Sequence, residues 1–204
     1  MANVCILDYG SGNVKSVFNL FSTVADHVVV SNQPEKILGA SHIVLPGVGA
    51  FGTAMRKIRD TLPMESLEQA VLVEKRPFLG ICVGMQVMAS RGMEFGEHAG
   101  LGWVAGSVEK LDSKGLPLPH VGWNNVMCRQ ESPLLAGLGE DPDFYFVHSF
   151  AFRPENPQHV LATTEYGEEF CSVIQRENLH GVQFHPEKSQ RTGIKLVKNF
   201  LSLP

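Results

Sequence analysis

Cysteine is scarce in this chain. The four residues, Cys5, Cys82, Cys128 and Cys171, lie far apart and never form a C-x-x-C pair. That excludes a zinc ribbon or a disulfide framework and points to a reducing cytoplasm, where a lone cysteine can act as a nucleophile. Charge is also thin, at 19% of residues against 44% hydrophobic. An average domain carries about 25% charged residues, so intrinsic disorder is excluded. Lys and Arg number 17 against 21 Asp and Glu, a net −4 with no basic cluster, so no nucleic-acid footprint is expected. Apolar runs such as Val28-Val29-Val30 and Ile43-Val44-Leu45 fall far short of the ~18 residues of a membrane span. Met1-Ala2-Asn3 lacks the basic start and long apolar stretch of a secretory signal. Neither glycine loop, Gly10-Ser11-Gly12-Asn13 or Pro46-Gly47-Val48-Gly49, completes G-x-G-x-x-G, and there is no Walker lysine. No nucleotide cofactor is expected, and the scattered histidines suggest no metal set.

The chain has 204 residues, which lies within the range of one domain. Val4-Cys5-Ile6-Leu7 reads as a buried strand, the turn Tyr9–Asn13 follows, and Val14, Val17, Phe18, Leu20 and Phe21 then fall at helical spacing. Val28 to Val30 and His42 to Leu45 are further strands, the second stopped by Pro46-Gly47. Residues 64–74 read as a helix, and Phe78 to Ile81 as a fourth strand with a helix behind it. This β-α-β-α rhythm, with strands apolar on both faces, predicts an α/β fold with a mostly parallel open sheet covered by helices. Beyond residue 103 the pieces Val104–Val108, Phe144–Val147, Val160–Thr164, Cys171–Ile174 and Gly181–Phe184 alternate with turns, so antiparallel strands are expected to join the sheet in the C-terminal half. Ser189 offers an N-cap to a closing helix with Ile194, Val197, Phe200 and Leu201 as its buried stripe. No linker or repeat divides the chain, so residues 1–204 are expected to form one domain.

Three stretches carry chemistry, each at the carboxyl end of an expected strand, where parallel sheets build their sites. Gly80-Ile81-Cys82-Val83-Gly84 has the form of a nucleophile elbow, G-x-S-x-G, with cysteine for serine. A side chain at the tip of so sharp a turn needs neighbours without a Cβ. The helix start behind Cys82 would favour a thiolate and leave the Val83 N–H to receive an oxyanion. In His185-Pro186-Glu187, proline extends the residue before it, so Glu187 can hold the His185 imidazole in one tautomer. The order nucleophile, histidine, acid departs from hydrolases built on similar elbows, where the acid precedes the histidine. The loop Pro46-Gly47-Val48-Gly49 offers backbone N–H groups to an oxyanion. A cysteine, a histidine with its acid and an oxyanion loop are the parts an acyl-transfer site needs.

Pro46-Gly47-Val48-Gly49, Gly80-Ile81-Cys82-Val83-Gly84-Met85-Gln86 and His185-Pro186-Glu187-Lys188-Ser189 resemble the signatures of class I (triad) glutamine amidotransferases. Within that family the chain is most similar to the glutaminase subunits of imidazole glycerol phosphate synthases. The marks of that subgroup are Asp8-Tyr9-Gly10-Ser11-Gly12-Asn13, Pro119-His120-Val121-Gly122-Trp123-Asn124, Tyr145-Phe146-Val147-His148-Ser149 and Gly181-Val182-Gln183-Phe184-His185. The resemblance implies that the Cys82 thiolate attacks the carboxamide of L-glutamine, that His185 protonates the departing ammonia, and that Glu187 orients His185. Water activated by His185 then cleaves the glutamyl thioester.

The same matching assigns the oxyanion hole to backbone N–H groups near Val48, at Gly49 and at Val83. It gives glutamine contacts to Gly49, Gln86, Glu94, His148 and Ser149. Phe150 stands where many relatives have Tyr, so any hydroxyl contact there is lost. The resemblance also implies a (β/α)₈-barrel cyclase partner that receives the ammonia in histidine biosynthesis and meets Pro119, His120, Trp123 and Asn124. The family's glutaminase is weak until that partner is occupied, and the valine of Pro46-Gly47-Val48-Gly49 fits a peptide that must turn first. Three other readings keep some of these residues. A paralogue that amidates a bacterial surface sugar is suggested by Met93-Glu94-Phe95-Gly96-Glu97-His98, and the glutaminase of pyridoxal phosphate synthesis is disfavoured by Pro119–Asn124. A stand-alone cysteine hydrolase would work without a partner.

Overall fold

The computed structural model describes residues 2–10 and 13–204; Met1, and Ser11 and Gly12 of the expected turn, lie outside them. In the first half, β1 (Asn3–Leu7), β2 (His27–Ser31), β3 (His42–Gly47) and β4 (Phe78–Cys82) alternate with α1 (Val14–Ser22), α2 (Pro34–Leu38), α3 (Phe51–Thr61), α4 (Met64–Glu68) and α5 (Val83–Gln86). The short strands β5 (Arg91–Gly92), β6 (His98–Ala99), β7 (Gly106–Lys110), β8 (His120–Asn125) and β9 (Met127–Cys128) come next. Then follow β10 (Asp143–His148), β11 (Phe150–Pro154), β12 (Val160–Tyr166), β13 (Glu168–Arg176), β14 (Leu179–Val182) and α6 (Gln190–Leu201).

The main sheet has the order β2-β1-β3-β4-β14-β13-β12-β9. Its first five strands are parallel and the last three antiparallel, as the apolar runs predict. The central strands β3, β4 and β14 are buried along their whole length. Helical stripes cover them: Val17 and Phe21 on α1, and Phe51, Ala54, Met55 and Ile58 on α3. Such i, i+3, i+4, i+7 spacing sets one apolar face against the sheet.

Several expectations need correcting. Two of the C-terminal pieces do not join the main sheet: β10 pairs with β8, and β7 lies in a separate sheet of order β11-β7-β5-β6. The strand before His185 ends at Val182 rather than Phe184, and the strand placed at Val104–Val108 runs from Gly106 to Lys110. β3 continues through Pro46 and Gly47 instead of stopping before them. No apolar run announces the helix α3, because Arg56, Lys57, Arg59 and Asp60 interrupt its apolar residues along the sequence. On α6 the buried stripe is Gly193, Leu196, Val197 and Phe200; Ile194 and Leu201 flank it. The rotation follows from Gly193, which lies against the Pro186 carbonyl and lets α6 dock closely on the His185–Lys188 turn.

The sharp reversal from β4 into α5 is made possible by contacts no side chain could share. A Cβ on Gly84 would stand 1.8 Å from the Leu45 carbonyl oxygen, and one on Gly80 2.5 Å from the Gly84 oxygen. Backbone is the obstacle in both cases, so no rotamer change relieves it. Among the described residues no helix is long and apolar enough to cross a membrane. Gly84→Ala is expected to cost about 2–3 kcal/mol of stability through overpacking, seen as a lower urea midpoint. An unchanged midpoint would contradict this packing.

Candidate active site

Cys82 is the last residue of β4, and its backbone sits at φ 54°, ψ −111°. A non-glycine residue in such a region typically costs about 1–3 kcal/mol and persists only where its surroundings fix it. The register Gly47↔Cys82 sets the Pro46–Gly49 loop directly beside the elbow. Gly49 adopts φ +92°, a conformation that disfavours side chains. The helix behind Cys82 is a single turn, Val83–Gln86, so its dipole is short. The charged group that interacts with the sulfur is the His185 imidazole.

β14 lies parallel to β4 with Val182 opposite Ile81, and the chain beyond it brings Gln183 and His185 to the same sheet edge. The His185 backbone is held at both its N–H and its carbonyl, and the two anchors are bonded to each other. Its N–H donates to the Tyr145 carbonyl at 2.8 Å, the Ser189 hydroxyl donates to its carbonyl at 2.7 Å, and that hydroxyl accepts from the Tyr145 N–H at 3.0 Å. Ser189 does occupy the N-cap position of α6, yet its side chain makes no capping bond. Its hydroxyl braces the histidine instead.

His185 Nδ1 lies 2.8 Å from Glu187 Oε1, and both side chains are buried. The Asn13 amide donates to the same carboxylate oxygen at 2.6 Å. Burial alone would lower the imidazole; the Cys82 sulfur and then the Glu187 carboxylate outweigh it and raise His185 above its ordinary 6.5. For Glu187, burial would raise the carboxyl, but His185 and then Asn13 hold it below its usual range. With Nδ1 committed to the acid, Nε2 is the nitrogen left to face the Cys82 sulfur. That nitrogen is the one placed for proton transfer.

A cleft of about 340 Å³ opens over these groups. Cys82, His185, Val48, Gly49, Val83, Gln86, Glu94, His148 and Ser149 all line it, with Glu187 behind His185. Phe95 and Pro119 also reach its wall. Three of the expected ligand residues already have work inside the protein. Glu94 accepts from the Phe51 N–H at 2.9 Å, supplying the cap that Ala50 cannot give α3. Gln86 uses its Nε2 on the Phe150 carbonyl and on Gln183 Oε1, both at 2.9 Å, leaving its carbonyl oxygen for a ligand. His148 is bonded at both nitrogens, Nδ1 to the Phe150 carbonyl at 2.9 Å and Nε2 to His120 Nδ1 at 3.1 Å. Its ring has no nitrogen left to offer.

The segment Pro119–Asn124 is largely a strand, and its alternation sorts the expected partner residues. Pro119 is exposed, and Trp123 is 47% exposed in T-shaped contact with Tyr145. His120 is buried instead, stacked between Phe146 and Tyr166. Asn124 turns inward to the Glu165 carbonyl. Val121, 55% exposed, shares the outer face with Trp123 and was not singled out, because the segment was read without a strand's period of two. Asn13 and Gln183 were also missed. Both lie in recognised motifs, but nothing in their spacing says which way their amides point.

A thiol at a strained elbow, a buried histidine–carboxylate pair and a glycine loop around one cleft are the parts that cysteine-dependent acyl transfer needs. The family profile "Glutamine amidotransferase class-I" matches residues 5–203, and the chain belongs to that family. It is 47% identical to "Imidazole glycerol phosphate synthase subunit HisH" of Rhodospirillum rubrum, with 97% of each chain covered. The protein of the same name from Bdellovibrio bacteriovorus is 45% identical over 96% of this chain and 97% of its own. Among solved structures, "Structure of PurLQS from Thermotoga maritima" aligns with TM-score 0.74 at 16% identity, covering 98% of both chains. "Crystal structure of glutamine amidotransferase" aligns with TM-score 0.74 at 19% identity, covering 97% of this chain and 96% of that one. At such identities the structural likeness speaks for the fold alone.

The buried neutral histidines make a pH prediction. Burial pushes His120 down to about 4, His180 to about 4 and His148 to about 3. An imidazole with a lowered value binds its proton more readily when unfolded, so its contribution is intact above 6.5 and is lost as pH falls from 6.5 towards 4. His185, shifted upward, keeps its contribution throughout that window and adds nothing to the loss. The urea midpoint is therefore expected to fall steadily from pH 7 to pH 4.5. A midpoint flat or rising over this range would contradict the assignment.

Proposed function

We propose that this chain is the glutaminase subunit of an imidazole glycerol phosphate synthase, acting as one amidotransferase domain over its whole length. The observation that carries the reading is the buried His185–Glu187 pair sharing one cleft with Cys82, in a chain 47% identical over 97% of its length to a subunit of that name. Cys82 Sγ attacks the side-chain carbonyl carbon of glutamine as the pair of π electrons moves to oxygen. Backbone N–H groups at Val48, Gly49 and Val83 receive that oxyanion. His185 Nε2 gives its proton to the leaving ammonia, and the glutamyl thioester remains on Cys82. Water then enters, His185 takes its proton, and glutamate departs. Glu187 stays ionised throughout and keeps the imidazole in one orientation. Glutamine is held by Gly49, by the Gln86 carbonyl oxygen, and by Glu94, His148 and Ser149, with His148 contributing its backbone because its ring is engaged.

Ammonia in water is protonated and diluted, so the reaction benefits from a docked acceptor subunit. The exposed face of β8, Val121 and Trp123, with Pro119 at the cleft rim, is the docking surface for a (β/α)₈-barrel cyclase. The cytoplasm is the site of this biosynthesis. Glutamate release is the direct test, measured for the chain alone, with its cyclase, and with cyclase plus nucleotide ligand. A large rise in the last mixture, abolished by Cys82→Ala, is expected. If Cys82-dependent hydrolysis stays slow with the cyclase, the acceptor is a different molecule, such as a bacterial surface sugar. Trp123→Ala is expected to weaken cyclase binding about tenfold, as central aromatic anchors do, and unaltered binding would remove β8 from the interface.

A further inference from the structure

We propose that Gln183 is a hydrogen-bond partner of the Cys82 sulfur, its amide donating an N–H that fixes Sγ and favours the thiolate. The sulfur also faces the His185 imidazole and, at 4.0 Å, the Val147 carbonyl. The inference rests on the reading of Cys82 as the nucleophile. Gln183 is fully buried, its backbone N–H donates to the Ser172 carbonyl at 2.9 Å, and its Nε2 lies 3.6 Å from Cys82 Sγ. Which end of this amide faces the sulfur is decided by its neighbours. The Phe150 carbonyl can only accept, so Gln86 must present Nε2 to it, at 2.9 Å. The same Nε2 lies 2.9 Å from Gln183 Oε1, so the Gln183 oxygen is committed to Gln86. Only the NH₂ end remains for the sulfur. His148 Nδ1, also on the Phe150 oxygen at 2.9 Å, donates there as well and locks the arrangement further.

Hydrogen bonding to a charged form favours that form. When Sγ forms its bond to the carboxamide carbon, the sulfur loses its negative charge and this contact weakens. Gln183 therefore acts on the resting thiolate, whereas the oxyanion loop acts later on the developing negative oxygen. Loss of the donor should leave less thiolate near neutral pH, but each remaining thiolate should be a better nucleophile. A purely structural role would not produce that opposition.

The test is the pH dependence of Cys82 alkylation by iodoacetamide, in a Cys128→Ser background that removes the exposed thiol. Peptide mass spectrometry would read the modified site. With Gln183→Leu the midpoint is expected to rise by about one pH unit, the order of a bond to a charged group. With a Brønsted slope of about 0.4–0.5, the rate below the midpoint should fall roughly threefold and the high-pH plateau should rise roughly threefold. Gln183→Met, similar in length and without a donor, serves if the leucine variant does not fold, and should shift the midpoint upward by a similar amount. A folded variant with the parent pH profile would overturn the proposal. A shifted profile in a protein that does not hydrolyse glutamine would uphold Gln183 as the sulfur's partner and remove the proposed function instead.

Discussion

The site depends on one strained residue. Cys82 sits in a backbone conformation that its own Cβ disfavours, and a sharp strand-to-helix turn relaxes unless it is clamped. The clamp is the close approach of β3, β4 and α5, where Gly84 rests on the Leu45 carbonyl and Gly80 underlies Gly84. The same approach that strains the cysteine brings the Val48–Gly49 loop alongside it. Cys82 and the Pro46–Gly49 loop are thus positioned by a single packing event in the centre of the sheet.

The second constraint is polar. Buried donors and acceptors must find partners, and here the partnering is arranged for the site rather than for the helices. Asn13 and Ser189 occupy N-cap positions and make no capping bond. One holds the Glu187 carboxylate and the other the His185 backbone. Glu94, from outside α3, supplies the cap that this helix lacks. A further run of bonds leads from Asn124 through His120 and His148 to the Phe150 carbonyl, and from there through Gln86 and Gln183 to the sulfur. Its histidines are neutral because burial disfavours their charge, so the run is one of fixed dipoles.

Much of this is legible in the residues alone. Fully buried parallel strands write themselves as apolar runs, which is why β1, β3 and β4 are found close to their true places. The elbow is legible because its glycines answer a steric need that no other residue meets. The limits are equally physical. α3 hides because charges on its outer face break the apolar run in one dimension. The separation of β7, β8 and β10 from the main sheet is a matter of pairing between distant segments, which local pattern does not encode. The expected partner residues Pro119, His120, Trp123 and Asn124 take no account of a strand showing alternate residues to solvent; hence His120 is buried and Val121 exposed. The bonds that occupy His148, Gln86 and Glu94 arise between segments remote in the chain.

The central claim is that Cys82 is the group that attacks a glutamine side chain in this cleft. A glutamine-shaped electrophile, 6-diazo-5-oxo-L-norleucine, tests it most directly when the modified residue is located by peptide mass spectrometry. The account predicts one adduct, on Cys82, slowed by added glutamine and absent when His185 is replaced by alanine. An adduct on the exposed Cys128, or labelling of Cys82 that glutamine leaves unchanged, would contradict it.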